Sequence, residues 1–116
     1  MSVSPVILTD CRDRERINAV LNDPYVRPYI GKPELGPVDI APVLHDANNL
    51  FPFGEHGGFG LIWTAPRTYE VHTYILKSGR GRWARDAAKA GVAMAKARGA
   101  RMLWTRILVG LTAHVR

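Results

Sequence analysis

The chain contains 116 residues, of which 47% are hydrophobic and 22% are charged. These proportions are those of an ordinary globular protein, so they exclude a disordered chain and a fibrous repeat. The length suits one domain rather than two. We therefore expect a single domain over residues 1–116.

The sequence predicts a cytoplasmic protein with no membrane contact. The longest uncharged apolar stretch near either end covers residues 107–113, far fewer than the roughly 20 that a membrane span requires. The N-terminus lacks the basic start and long apolar region of a signal peptide. Cys11 is the only cysteine, so no internal disulfide is expected. No metal cofactor is expected either, because His45, His56 and His114 lack the spacing of metal ligands.

The net charge of +6 is concentrated in one segment. Residues 1–76 carry six basic and nine acidic side chains, whereas residues 77–106 carry nine basic side chains and one acidic side chain, Asp86. A cationic segment this compact predicts a polyanionic partner, either a phosphorylated small molecule or a nucleic acid.

The spacing of apolar residues predicts helices and strands in a single α/β domain. The predicted elements, in chain order, are an edge strand over residues 3–8, a helix over 12–22, a short helix within 38–48, a hairpin turn over 54–60, a strand that continues to residue 63, a tight turn over 65–67, a strand over 68–76, a helix over 82–98 and a final strand over 101–107. Thr9 or Asp10 is the expected N-terminal cap of the first helix, and Gly99 the expected C-terminal cap of the last. The last helix has a basic face and a face of small side chains, which favours close packing on a sheet.

The segment that carries chemistry is the strand, glycine loop, helix and strand over residues 70–107. Gly79 and Gly81 let the backbone approach a ligand, and the free N–H groups at the start of the helix can bind phosphate oxygens. Arg80 and Arg82 add charge-assisted contacts. The sequence therefore predicts a phosphate-binding loop at this junction.

The loop fits neither of two known nucleotide-binding patterns. The P-loop pattern fails, because Gly81 is not followed by Lys and then Ser or Thr. The Rossmann pattern GxGxxA is formally present at Gly79, Gly81 and Ala84, but nothing acidic follows Asp86 to bind a ribose. The preceding strands are also joined by turns too short for parallel crossovers. A dinucleotide-binding fold is therefore disfavoured.

The run Arg80-Gly81-Arg82-Trp83-Ala84, the helix through Gly99 and the strand over 101–105 resemble the GNAT acyltransferase superfamily. The resemblance implies an α/β (α+β) fold with an antiparallel-dominated mixed sheet flanked by helices. It also implies transfer of an acetyl group from acetyl-CoA to a primary amine of unknown identity. The family loop has the form [QR]xxGx[GA]. Two registers of this motif are open here: Gly81 is its first glycine, or Gly79 and Gly81 are its two glycines. The positions that it implies for acetyl-CoA binding are Leu76, Lys77, Gly79, Arg80, Gly81, Arg82, Trp83 and Ala84.

The chain departs from the family pattern after the last predicted strand. The family continues with a helix and further strands, and often with a tyrosine general acid, whereas no tyrosine follows Tyr74. The resemblance therefore implies that C-terminal elements of the fold are missing. An uncovered strand edge predicts self-association into a homo-oligomer. Two alternatives stay open: a non-catalytic fragment that binds CoA or another protein, and, less favoured because aromatic residues are not interleaved with the basic ones, a small nucleic-acid-binding protein.

Glu70, His72 and Tyr74 alternate along the best predicted strand and so share one of its faces. Glu70 or His72 could accept a proton from the amine, and Tyr74 could serve as an acid. The simpler interpretation, which the residues alone favour, is a surface carboxylate, a partly exposed histidine and a packing tyrosine.

Overall fold

The structure, a computed structural model, describes residues 6–106. Its elements, in chain order, are β1 (Thr9–Asp10), α1 (Arg14–Leu21), 3-10 turns at Arg27–Tyr29 and Pro33–Leu35, α2 (Ala41–Leu44), β2 (Pro52–Gly54), β3 (Gly57–Ala65), β4 (Thr68–Ile75), a 3-10 turn at Lys77–Gly79, α3 (Arg82–Ala97) and β5 (Met102–Trp104). No helix within residues 6–106 is long and apolar enough to cross a membrane.

The five strands form one mixed sheet in the order β1-β2-β3-β4-β5. The first three pairings are antiparallel, and only β4 and β5 run parallel. A parallel pair requires a long crossover, which α3 provides, whereas the short turn at residues 66–67 suffices for the antiparallel pair before it. The predicted mixed α/β class and antiparallel-dominated sheet are confirmed.

Each face of the sheet carries its own apolar core. The core on the α1 side is built around Ile17, Leu21, Leu44, Phe51 and Phe53. The core on the α3 side contains Phe59, Leu61, Tyr69, Ala87 and Ala95. Residues of β4 alternate between the two cores, as the period of a strand requires. The strand therefore presents a different row of side chains to each side of the domain.

The prediction for the N-terminal strand is wrong in position. Residues 3–5 of the predicted strand lie outside the described residues, residues 6–8 are not in a strand, and β1 begins at Thr9. The Asp10 carboxylate accepts a hydrogen bond from the Phe51 N–H at 2.9 Å, which ties this segment to the residue before β2. Asp13, rather than Thr9 or Asp10, caps α1, because its carboxylate accepts the Arg16 N–H at 3.2 Å.

Other boundaries shift by a few residues for local reasons. The short helix covers only Ala41–Leu44, with Pro42 in its first turn, where a missing N–H costs nothing. The hairpin turn is limited to residues 55–56, because β3 already pairs with β4 from Gly57 onward. The last helix ends at Ala97, and Gly99 has the positive φ of +91° expected of a C-terminal cap. The last strand covers Met102–Trp104, and Ile107 lies outside the described residues.

Candidate functional site

The predicted phosphate loop leads into a helix N-terminus that is open to ligand. Gly81 precedes α3 with φ +87° and ψ −126°, a conformation that favours glycine, and no side chain caps the helix among the described residues. A β-carbon at Gly81 would meet no atom within 4 Å. The first N–H of α3 to bond back to the loop is that of Arg85, which donates to the Gly81 carbonyl at 3.1 Å. The amides of the first turn are therefore placed to receive an anion.

The basic residues of the loop surround this opening. Lys77, Arg80 and Arg82 are all exposed. The Arg80 guanidinium lies 5.0 Å from the centre of the Tyr25 ring, a cation–π contact that joins the loop to the segment after α1. Ala84, one turn into the helix, is half-buried and presents little bulk. These four residues lie where the resemblance implies contact with acetyl-CoA.

Three other predicted binding residues point into the protein instead. Gly79 is buried, and a β-carbon there would lie 2.5 Å from the β-carbon of His56. The Trp83 ring makes an edge-to-face contact with the His56 ring, with 5.0 Å between centroids. Leu76 packs against the core on the α1 side. The close packing at Gly79 and the contacts of the Trp83 and Leu76 side chains hold the loop in place.

His56 is a site residue that the sequence did not reveal. Its carbonyl accepts the Leu76 N–H at 2.9 Å, and its Nδ1 lies 2.9 Å from the Ser78 hydroxyl oxygen. Nothing local in the sequence marks this role, because it depends on the pairing of β3 with β4. The β2–β3 turn thus contacts and supports the predicted phosphate-binding loop.

A cavity of about 250 Å³ lies beside the loop. Its walls come from the segment that follows α1, the end of β4, and the loop and first turn of α3. The lining residues are, in that order, Tyr25, Val26 and Tyr29, then Thr73 and Ile75, then Arg80 and Ala84. In the segment that follows α1, the Arg27 Nε donates a hydrogen bond to the Gly36 carbonyl at 3.0 Å, which holds this wall in its conformation. The cavity therefore joins three elements that are distant in sequence. Tyr25 and Tyr29 were not predicted as site residues. The one signal in the sequence that could have indicated them is the presence of two aromatic residues in a proline-rich stretch.

Within residues 6–106, the edge of β4 along this cavity has no partner strand. β5 pairs with β4 only at Thr68, Tyr69 and Glu70. The next residue of β4 is Val71, and its carbonyl accepts a hydrogen bond from the Thr105 hydroxyl at 3.1 Å. Because alternate residues of a strand direct their backbone groups to the same edge, residues 73 and 75 also face this side. No strand among the described residues pairs with that part of β4, so its backbone groups face the cavity.

Glu70, His72 and Tyr74 form a row on the α1 side of β4, as predicted. The Glu70 Oε1 lies 3.5 Å from the His72 Nε2, and the His72 and Tyr74 rings are stacked with centroids 6.2 Å apart. Gly60, which pairs with His72 across β3, leaves room for this row: a β-carbon there would lie 3.1 Å from the Tyr74 ring. The structure thus brings all three predicted catalytic residues together.

The environment of the row differs from the simpler expectation. Glu70 is only 8% exposed rather than a surface carboxylate, and its Oε2 forms an ion pair with the Arg106 Nε, 2.9 Å away. The His72 side chain is 40% exposed and can meet a substrate. Burial, and secondly the charge of Glu70, raise the pKa of the Tyr74 phenol well above its usual range. Tyr74 therefore stays protonated and can donate a hydrogen bond, but it cannot serve as a base near neutral pH.

Comparison with family models, with curated proteins and with solved structures finds no match for this chain. The resemblance to the GNAT superfamily therefore stays a prediction. Within residues 6–106, no group of three His, Cys, Asp or Glu side chains could hold a metal ion. The chemistry of the site has to be argued from its own geometry.

Proposed function

We propose that the protein is an N-acyltransferase that moves an acyl group from acyl-CoA, of which acetyl-CoA is the simplest, to a primary amine. The observation that carries this proposal is the cavity along the open edge of β4. At one end of it lies the N-terminus of α3, which no described side chain caps and which exposed basic residues surround, and β4, which lines the cavity, also carries the row of Glu70, His72 and Tyr74 on its α1 side. A phosphate-binding end next to a histidine and carboxylate pair suits a donor whose reactive group is separated from its phosphates.

The phosphate end of the donor would bind at the start of α3. The amides of the first helical turn provide hydrogen bonds along the helix axis, and the dipole favours negative charge there. Lys77, Arg80 and Arg82 are exposed around this point and can each make a charge-assisted contact. The opening at Gly81 allows the pyrophosphate to approach the backbone without obstruction.

The amide-containing arm of the donor would then lie along β4. The open edge offers backbone N–H and C=O groups at Thr73 and Ile75, which can pair with amide groups as an added strand would. Such pairing would bring the thioester to the middle of β4, next to His72. The reacting groups are thereby oriented before any chemical step occurs, and orientation lowers the barrier to attack.

The catalytic step would divide between the three side chains of the row. His72, the most exposed of them, accepts the proton from the attacking amine. Glu70, 3.5 Å away, stabilises the imidazolium that results. The amine is neutral as it attacks the thioester carbonyl carbon, and the proton that His72 accepts is the one that its nitrogen loses as the amide forms. The carbon–sulfur bond breaks, and CoA leaves as the thiolate. Tyr74 remains protonated and donates a hydrogen bond to the reacting group.

A matched pair of charge reversals on α3 tests donor binding. Arg82→Glu places a negative charge at the proposed phosphate site, whereas Lys96→Glu makes the same change in net charge in the last turn. The two positions are about 21 Å apart along the helix, well beyond the Debye length of about 8 Å at physiological salt. Negative charge stabilises the start of a helix and destabilises its end. We therefore expect Arg82→Glu to leave α3 folded, so that a loss of binding by this protein reports on the phosphate site.

Calorimetry with acetyl-CoA should show that Arg82→Glu lowers affinity by about 10-fold to 100-fold. This range corresponds to the loss of one or two charge-assisted contacts. The Lys96→Glu protein should bind within about twofold of the parent. Equal binding by all three proteins would refute this site. Binding without release of thiol in the presence of primary amines would instead favour the non-catalytic alternative.

A further inference from the structure

A second cavity, of about 170 Å³, lies between α3 and the sheet. Its walls are almost entirely apolar and come from four elements: Phe59 and Leu61 of β3, Val71 of β4, Gly91 and Val92 of α3, and Leu103 of β5. Val92 is 39% exposed, which leaves apolar surface open to solvent at the mouth of the cavity. The cavity therefore offers an apolar surface that a ligand can reach from solvent.

The small residues of α3 create the cavity. A β-carbon at Gly91 would lie 3.3 Å from the Phe59 ring, so the helix approaches the sheet closely at that point. Ala88, one turn earlier, is exposed and too short to fill the space beside Val71 and Leu103. The helix is thus held near the sheet while an apolar hollow remains beside the contact.

The second cavity adjoins the first. Thr73 lines both of them, so the two lie one after the other along the open edge of β4. From Ile75, beside the cationic loop, to Val71, in the apolar wall, four residues of extended strand cover about 13 Å. One end of this path has exposed basic side chains and helix amides, and the other is apolar. A ligand that fits both ends has an anionic head and an apolar tail.

Resting on the proposed function, we infer that the second cavity binds the acyl chain of the donor, and that the preferred substrate is a medium-chain acyl-CoA of about six carbons. A cavity of about 150 Å³ holds a molecule of benzene, which has six carbons, so about 170 Å³ suits a chain of similar size. An acetyl group would leave most of this apolar surface in water. The thioester would lie at Thr73, where the two cavities meet.

Calorimetry with CoA, acetyl-CoA and hexanoyl-CoA tests this inference on the full chain. Each fully buried methylene increases affinity by about fourfold. Four further methylenes in a partly open cavity should therefore make hexanoyl-CoA bind at least about tenfold more tightly than acetyl-CoA. Equal affinity for the two thioesters would overturn the inference and leave the proposed function intact. No binding of any of the three would overturn the proposed function itself, and this inference with it.

A pair of adjacent substitutions locates the effect. Val92→Asp places a charge on the cavity wall, and Ala93→Asp adds the same charge at the next exposed position of α3, outside the cavity. Val92→Asp should reduce the preference for hexanoyl-CoA to within about twofold and leave CoA affinity unchanged, whereas Ala93→Asp should keep the preference. Loss of the preference in both proteins would overturn the assignment to this cavity. Dissociation of a dimer by Val92→Asp with the preference unchanged would assign the surface to a second copy of the chain instead. The comparison of chain lengths in the parent protein applies even if Val92→Asp fails to fold.

Discussion

Replacing Glu70 or His72 by glutamine distinguishes the two proposed roles, because His72 accepts the proton and Glu70 stabilises the resulting imidazolium. Two unit charges 3.5 Å apart at an effective dielectric constant of 20 interact by about 5 kcal/mol, and the 40% exposure of His72 screens this to roughly 1 to 2 kcal/mol. Glu70→Gln should therefore slow transfer by about tenfold. His72→Gln removes the proton acceptor itself and should slow transfer by about 100-fold or more.

The double substitution is the decisive measurement. If Glu70 acts only through His72, the double variant should be about as slow as His72→Gln alone, because the two side chains act as one unit. The assay is the rate of thiol release from saturating acyl-CoA with a panel of simple primary amines, carried forward with the fastest amine. The control is His45→Gln. His45 is exposed and distant in sequence from Glu70 and His72, so this change should leave the rate unchanged.

Two results would refute this reasoning. Multiplied effects, with the double variant about 1,000-fold slower, would mean that the two side chains act independently. Turnover unaffected by either substitution would place the base elsewhere. CoA affinity should stay close to that of the parent in every variant, since none of these residues belongs to the phosphate end of the site.

Two further predictions concern the packing of Tyr74. Because its pKa is raised in the folded protein, the phenol binds its proton more tightly there than in the unfolded chain, so this contribution to stability is complete below pH 10 and is lost as the pH rises above it. Denaturant unfolding from pH 8 to pH 11 should show that decline, and a Tyr74→Phe protein with the same decline would contradict it. Gly60→Ala should lower the unfolding free energy by about 1 to 2 kcal/mol, because the new methyl would lie 3.1 Å from the Tyr74 ring. Gly91→Ala is its control and should be near neutral, since its 3.3 Å approach to Phe59 is offset by about 1 kcal/mol of helix propensity; equal thermal shifts in the two proteins would argue against a close Tyr74 contact.

Much of the secondary structure followed from local patterns in the sequence. The alternation along residues 68–76 predicted β4, the small and basic faces predicted α3, and Gly99 marked the end of that helix. Such features depend on the period of a helix or strand and on the φ angles that a residue can adopt. The three residues of the proposed catalytic row were found for the same reason, because alternate residues of one strand share a face.

The arrangement of the site was decided by contacts between elements far apart in the chain. The position of β1 depends on pairing with β2, and the burial of Glu70 depends on Arg106 and on neighbouring strands. No local pattern indicates that His56 supports the phosphate loop or that Tyr25 meets Arg80, since both contacts form only after the sheet has assembled. Both cavities likewise lie where, within residues 6–106, β4 has no partner strand beyond the three residues that pair with β5. Periodicity determines which side chains share a face, but only the packed sheet decides which backbone groups lack a partner, and those groups form the proposed site.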